Sequence, residues 1–379
     1  MSPTIEKSVQ VISPVCPKRM HDGVPILVPE MENDWENKVV LNPAAVLIES
    51  GDELTALFSS WRLNTGQQSQ LNDAGGACVL IYRAQGETLE KRTSGERMQS
   101  PSFLGLAILT PDLKLVHRLN SPILKPDSPW HNLGVEDPRC TKVGDTYYLY
   151  YTGYASENLS GKKPGQAAQT QARICLATTS DFISWDQHGP VAGDINSVAN
   201  KNAALFPDPV NSSWLLFHRP MSGPGAMAIH TASAGDPAGP WESTGVFMES
   251  LDYPEMRRSW IGAGAPPVPT GDGRFVMIYH QGHYLRLDGT RLYTLAAALI
   301  DFRSIDPVQG RIEPLMIPTG AIERVGDLQL GVNNVLFTCG NYLWGDDLIV
   351  PYAAADSRIF GAKINFVRLI EALDTTISN

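Results

Sequence analysis

The chain has 379 residues, 43% of them hydrophobic and 18% charged, with 30 basic against 40 acidic side chains and a formal net charge of −10. This is a globular composition, and its acidic balance argues against nucleic acid or an anionic membrane surface as the main partner. The first residues, MSPTIEKSVQVISPVCPKRM, lack the apolar run of a secretory signal, and no later stretch approaches the ~18 apolar residues of a membrane span. Five scattered cysteines (Cys16, Cys78, Cys140, Cys175, Cys339) form no CxxC pair and show no metal-ligand spacing. They read as reduced thiols, so the expected location is cytoplasmic.

Residues 1–35 form a proline-punctuated lead-in, predicted to be an extension outside the main domain at 36–379. Five stretches of one shape follow. They are NPAAVLIESGDELTALFSSWR from Asn42, DPRCTKVGDTYYLYYTGY from Asp137, AALFPDPVNSSWLLFHRP from Ala203, APPVPTGDGRFVMIYHQG from Ala265 and NNVLFTCGNYLWGDDLIVPYAAAD from Asn333. Each has an apolar run, a Gly/Asp/Asn/Ser turn and a second run, which is the pattern of a β-hairpin. Runs such as RICLATTSDFISW and LYTLAAALIDF supply further strands. Helical periodicity is confined to the tail, where FVRLIEALDTTI reads as a short amphipathic helix. Five repeated hairpins with added strands predict an all-β five-bladed β-propeller, with a sandwich as the structural alternative. In a propeller the inner strands open on the central funnel. The repeated strand starts Asn42, Asp137, Asn202, Gly264 and Asn334 are therefore candidate site positions, although a turn cap explains any one of them equally well.

Within this frame, GVEDPRCTKVGDTYYLYYTGY resembles the central signature of glycoside hydrolase family 130, the mannoside phosphorylases and β-mannosidases. NPAAVL, KNAALFPDPVNSSWLLFHRP, IGAGAPPVPTGDGRFVMIYHQG, GVNNVLFTCG and PYAAADSRIFGA resemble five further stretches in the family's order, spanning about Asn42 to Ala362. The resemblance implies a five-bladed propeller and phosphorolysis of a β-linked mannoside, giving α-D-mannose 1-phosphate. Hydrolysis on the same fold, with water activated by a carboxylate such as Glu323 or Asp327, is the first alternative. A sugar-binding propeller without catalysis is the second.

Cleaving a glycosidic bond requires a proton for the departing oxygen and a nucleophile at the anomeric carbon. Phosphate needs a cationic cradle rather than a second carboxylate. The resemblance implies Asp137 as the acid, its proton relayed through a sugar hydroxyl. It further implies Asn42, Lys201 and Asp356 as mannosyl-binding residues, and Arg173, Lys201, His218, Arg219 and His280 as phosphate-binding ones. Glu136 is expected to face a neighbouring strand or pair with Arg139, and Arg139 to partner a carboxylate. Pro138 is expected to hold Asp137 in extended geometry at the start of an inner strand. The sequence leaves open whether Arg62 or Arg83 supplies the first-blade arginine. The polar segment 155–172 reads as a loop or a lid. No P-loop, GxGxxG opening a helix or HExxH is present, so no cofactor or metal is expected beyond phosphate as co-substrate. The acceptor sugar, the linkage and any homo-oligomer are left open.

Overall fold

Each of the five hairpin stretches becomes part of an antiparallel unit built on four strands, with a fifth short strand, Val268–Pro269 or Tyr342–Trp344, added in the last two, and the five units close into a ring. The computed structural model describes residues 15–86, 100–156, 170–328 and 330–376. Blade one comprises Val39–Glu49, Gly76–Gln85, Phe103–Leu109 and Leu115–Arg118. Blade two comprises Gly134–Val143, Thr146–Ser156, Thr170–Thr179 and Asp186–Pro190. Blade three comprises Asn200–Leu205, Trp214–Pro220, Ile229–Ala234 and Glu242–Met248. Blade four is built on Met256–Ala263, Phe275–Leu285, Arg291–Ile300 and Val308–Met316. Blade five takes Leu336–Phe337, Asp347–Ala354 and Arg358–Asn365 from the end of the chain, and Lys18–Arg19 from its beginning. The fold is a five-bladed β-propeller. The first strands of blades one to four lie side by side around the axis, blade five closes the ring against blades one and four, and the blades pack through buried Val, Ile, Leu and Ala.

The lead-in is partly built into the ring. Lys18 pairs with Lys363 and Arg19 with Ala362, so the N-terminal segment adds the outermost strand of the last blade. The Arg19 guanidinium then clamps Glu323, with Nε 2.6 Å from Oε1 and Nη2 2.7 Å from Oε2.

Two nine-residue helices, besides a single turn at Ala321–Arg324, were not expected. GDELTALFSSWR does not continue the first hairpin but forms a helix at Asp52–Ser60, and a second helix spans Thr65–Asp73. The reason is in the residues. Leu54, Leu57, Phe58 and Trp61 follow the spacing i, i+3, i+4, i+7 and all are buried. Each contributes about 1.5–3 kcal/mol of apolar burial, which a nine-residue helix, marginal alone, requires. The second helix starts at a reciprocal capping box between Asn64 and Gln67. The tail helix runs Phe366–Thr375, capped by Asn365 and buried through Leu369, Ala372 and Leu373.

Candidate active site

The inner strands share a backbone device. The ladder slips between Leu41 and Ala44 in blade one, between Glu136 and Arg139 in blade two, and between Lys201 and Ala204 in blade three. The slipped residues Asn42, Asp137 and Asn202 have φ of 49°, 51° and 59°, and Asn334 in blade five has 57°. Asn and Asp tolerate this left-handed region where most side chains do not, and a bulge re-aims the side chain it carries. Asp137 is therefore not extended. Pro138 bars the right-handed helical region for the residue before it, and the chain takes the positive-φ bulge instead. Gly264, the fourth repeat position, has no side chain and offers its carbonyl.

Asp137 is 7% exposed and lies among cations. Its Oδ1 accepts from Asn42 Nδ2 at 2.7 Å and from Arg83 Nη1 at 3.3 Å. Arg83 also donates to Glu136 Oε1 at 2.9 Å and to Ser102 Oγ at 2.9 Å. Lys201 Nζ reaches Glu136 Oε2 at 3.0 Å and lies over the Tyr154 ring. Burial pushes the Asp137 carboxyl up, but the charges of Arg83, Lys201 and Arg139 and the Asn42 amide outweigh it, holding the group well below the usual carboxylate range. The first-blade arginine at this centre is Arg83, on the second strand of the blade. Arg62 is exposed at the end of the first helix.

Of the two expectations for Glu136, the turn toward a neighbouring strand holds and the pairing with Arg139 does not form. Glu136 is taken by Arg83 and Lys201. Arg139 is 1% exposed and, among the described residues, donates only to carbonyls: Asp137 O, Ala263 O and Gly264 O, each at 2.9 Å. Its blade-two side chain thus reaches blade four across the axis, beside Phe337 of blade five. It forms the floor of the funnel and fixes the carbonyl of the catalytic candidate.

Arg219 and His280 meet above that floor. Arg219 Nη1 is 3.1 Å from His280 Nε2, and Nη2 is 3.9 Å from Met221 Sδ. A guanidinium can only donate, so His280 Nε2 accepts and the ring proton sits on Nδ1. His280 Nδ1, Arg219 Nε, Asn202 Oδ1 and Asn42 Oδ1 are buried polar atoms without a hydrogen-bond partner among the described residues. Burial, Arg219 and Arg139 hold the His280 imidazole neutral, well below its ordinary pKa. Burial, aided by the Arg139 charge, lowers the Arg219 guanidinium to about 10, against the pull of Tyr293 and Asp137. Gly262 makes the packing possible, because a Cβ there would lie 2.6 Å from both Asn202 Oδ1 and the His280 ring.

Asp356 occupies the turn of the blade-five hairpin, half-buried, with φ of 47°. Burial raises its carboxyl to about 6, with Asp137 and Glu136 adding to the rise and Arg83 and Arg291 opposing it. His218 is placed differently from Arg219, its neighbour on an alternating strand. Its ring takes Asn200 Nδ2 at 2.9 Å and packs on His230, and burial lowers its pKa to about 4. Arg173 sits on the third strand of blade two, opposite Gly153, with Nη2 2.5 Å from Gln171 Oε1. Most of the segment 155–172 lies outside the described residues. Glu323 is saturated by Arg19, by the Tyr352 hydroxyl at 2.6 Å and by Thr319, which leaves it no lone pair aimed at a water. Asp327 Oδ1 accepts from Leu330 N at 2.9 Å.

Three contributors were not singled out from the sequence. Arg291, Tyr293 and Trp260 flank the centre, and Arg291 and Tyr293 both feel the Asp356 charge. The signal was the alternation in RLYT and RSWIG, which puts Arg291 with Tyr293, and Arg258 with Trp260, on one face. Among the described residues no group of three or more His, Cys, Asp or Glu side chains could hold a metal ion. No helix of the described residues is long and apolar enough to cross a membrane.

Four cations (Arg83, Arg139, Lys201, Arg219) thus surround three carboxylates (Glu136, Asp137, Asp356) in a protein that is acidic as a whole. Such a cluster can bind an anion, deliver a proton and hydrogen-bond a polyol. Residues 78–375 match the family model described as beta-1,4-mannooligosaccharide phosphorylase. The chain is 29% identical over 343 residues to the 1,2-beta-oligomannan phosphorylase of Thermoanaerobacter sp. (strain X514), covering 90% of this chain and 95% of that one. It is also 29% identical to the beta-1,2-mannobiose phosphorylase of the same organism, covering 90% and 94%. In fold it is similar to the beta-1,2-mannobiose phosphorylase from Listeria innocua, with a TM-score of 0.70, 19% identity and coverage of 95% and 99%.

Proposed function

The chain belongs to glycoside hydrolase family 130, and from that premise we propose that it catalyses inverting phosphorolysis of a β-linked mannoside, with inorganic phosphate as nucleophile and α-D-mannose 1-phosphate as product. The observation that carries the reading is Arg219. A guanidinium 7% exposed, with an imidazole and a thioether as its partners and no carboxylate bonded to it among the described residues, is a costly arrangement for a protein to keep. An oxyanion offsets that cost by accepting charge-assisted hydrogen bonds from the planar fork. Phosphate is the oxyanion that the relatives' reactions share.

In this mechanism phosphate lies against Arg219, with His280 Nδ1–H and Lys201 as further donors and Arg173 approaching from blade two. Asn42, Asp356 and Lys201 hold the mannosyl hydroxyls. A phosphate oxygen attacks the anomeric carbon as the bond to the acceptor oxygen breaks. The proton reaching that oxygen comes from Asp137 through a sugar hydroxyl. One displacement at one carbon inverts the configuration, so a β-mannoside yields an α-phosphate.

Asp137 is a firm carboxylate while the cations face it alone. Phosphate changes this, because an anion drawing on Arg219 and Lys201 weakens their hold on the Asp137 charge and raises its proton affinity. Anion binding and the arming of the acid are then one event. The curated relatives above act on β-1,2 linkages by name, so β-1,2-mannobiose is the first substrate to try. The test is Arg219→Gln. It should raise the apparent phosphate KM by ten- to a hundredfold and leave mannoside binding within threefold. Equal losses on both substrates would place Arg219 outside the phosphate site.

A further inference from the structure

Blade four carries a stripe of arginine and aromatic side chains that the reaction above does not use. Across its first three strands Arg258, Tyr284 and Arg291 are in register, and so are Trp260, Gly282 and Tyr293. The next row on the same face contains Gly262 and His280. Rows two residues apart along a strand are separated by roughly 6.5–7 Å, so the stripe leads from the His280–Arg219 pair to the rim in two steps. The rings touch along it. Tyr284 and Trp260 have centroids 5.2 Å apart, Trp260 and Tyr293 5.4 Å, and Tyr293 and His280 6.1 Å. Gly282 creates the middle row, since a Cβ there would lie 2.2 Å from the Trp260 ring.

The guanidinium groups on this stripe are gathered without a bonded carboxylate among the described residues, although Arg291 feels the charge of Asp356. Arg257 and Arg291 both lie 5.5 Å from the centroid of Tyr284, and Arg258 lies 5.9 Å from that of Trp260. Arg291 donates to the Tyr284 hydroxyl at 2.8 Å, and Arg286 donates to the carbonyls of Pro254 and Met256. Arg257, Arg258, Arg286 and Arg291 form no ion pair among the described residues, whereas Arg274 and Arg303, elsewhere on the same blade, pair with aspartates. Like charges gathered on shared rings repel one another until an anion joins them. Arg257 and Arg258 are exposed, so that anion comes from solution.

We propose that the rim of blade four is an oxyanion-binding subsite, formed by Arg257, Arg258 and Arg291 on the Tyr284–Trp260 platform, which takes a carboxylate or phosphate carried by the acceptor sugar. The inference deepens the phosphorolysis reading and rests on it: the mannosyl unit occupies the centre, and the acceptor extends up the stripe with its apolar face on the rings. It assigns the preferred acceptor a chemical class, an acidic saccharide, with neutral mannose taken at the same centre without the rim's help.

The test pairs binding with turnover. Calorimetry on the wild type and on the Arg257→Gln/Arg258→Gln double variant uses glucuronic acid, mannose 6-phosphate, mannose and inorganic phosphate as probes. Synthesis from α-D-mannose 1-phosphate is then measured with the three sugars as acceptors. The expected result is that one of the acidic sugars binds at least tenfold tighter than mannose. The double variant should remove that advantage and leave mannose binding and turnover unchanged. The better acidic probe identifies carboxylate or phosphate as the group taken. Equal binding of acidic and neutral sugars by the wild type overturns the proposal. So does a double variant that weakens only inorganic phosphate, which would make the rim a collector for the co-substrate. Absence of synthesis with every acceptor, while the acidic preference in binding persists, would count against phosphorolysis and leave the subsite standing.

Discussion

Replacing Asp137 by Asn separates its chemical role from its electrostatic one. Asn is isosteric, its Oδ1 still accepts from Asn42 and Arg83, and it favours the φ of 51° that the bulge requires. The backbone therefore has no reason to move. Loss of the proton source should lower kcat by about 10² to 10⁴, or roughly 2.7–5.5 kcal/mol of barrier. The same change removes one negative charge from a cluster in which Arg83, Lys201, Arg139 and Arg219 all act on it. A unit charge acting over roughly 12 Å at an effective dielectric near 20 is about 1.4 kcal/mol, a factor of ten. Phosphate should therefore bind about tenfold tighter to the slower enzyme. Steady-state phosphorolysis gives the first quantity and calorimetric titration with phosphate the second. Turnover within tenfold of wild type would refute the acid assignment. Weaker phosphate binding would refute the shared-cation argument.

Two further outcomes follow from the same geometry. Arg139→Met removes a guanidinium that satisfies three buried carbonyls in two blades; at about 1–3 kcal/mol for each group left unsatisfied, the thermal midpoint should fall by many degrees, and an unchanged midpoint would show that Arg139 is not the floor of the funnel. The Asp356 carboxyl is raised from 3.8 to about 6, so the native state holds a proton that the unfolded chain has released, and the stabilisation is complete below about pH 3.8 and lost as pH rises through about 6. Asp356→Asn should flatten the fall in unfolding free energy between about pH 4 and 6, and denaturant titrations that superimpose on wild type across that range would contradict it.

The fold was legible because the propeller repeats its hairpins, and turns such as Asn-Ser-Ser, with positive φ at Asn211 and Ser212, announce themselves by composition. The first blade was misjudged because a helical spacing, Leu54–Leu57–Phe58–Trp61, stood where the repeat led one to expect a strand. At the site, the repeated strand starts named Asn42, Asp137 and Asn202, but Pro138 was read as enforcing an extended chain, and the positive-φ bulge that aims these side chains was not foreseen. What the sequence withheld was partnership. Whether Glu136 meets Arg139 or Arg83 depends on how the neighbouring blade one sets Arg83 against it while Arg139 reaches across the axis to blade four, a long-range fact with no local trace. The choice between Arg62 and Arg83 is of the same kind, decided when one became a helix terminus and the other a strand residue beside Asp137. His218 and Arg219 are adjacent in the chain, yet strand alternation turns them to opposite sides, and only the neighbouring blades reveal which side holds His280.

The central claim is phosphate-dependent cleavage, and it is tested most directly by incubating the purified protein with β-1,2- and β-1,4-mannobiose, each with and without inorganic phosphate, and resolving the products by phosphorus and proton NMR. The account predicts mannose and α-D-mannose 1-phosphate in equal amounts when phosphate is present, and no cleavage without it. Release of free mannose at the same rate with and without phosphate would contradict it.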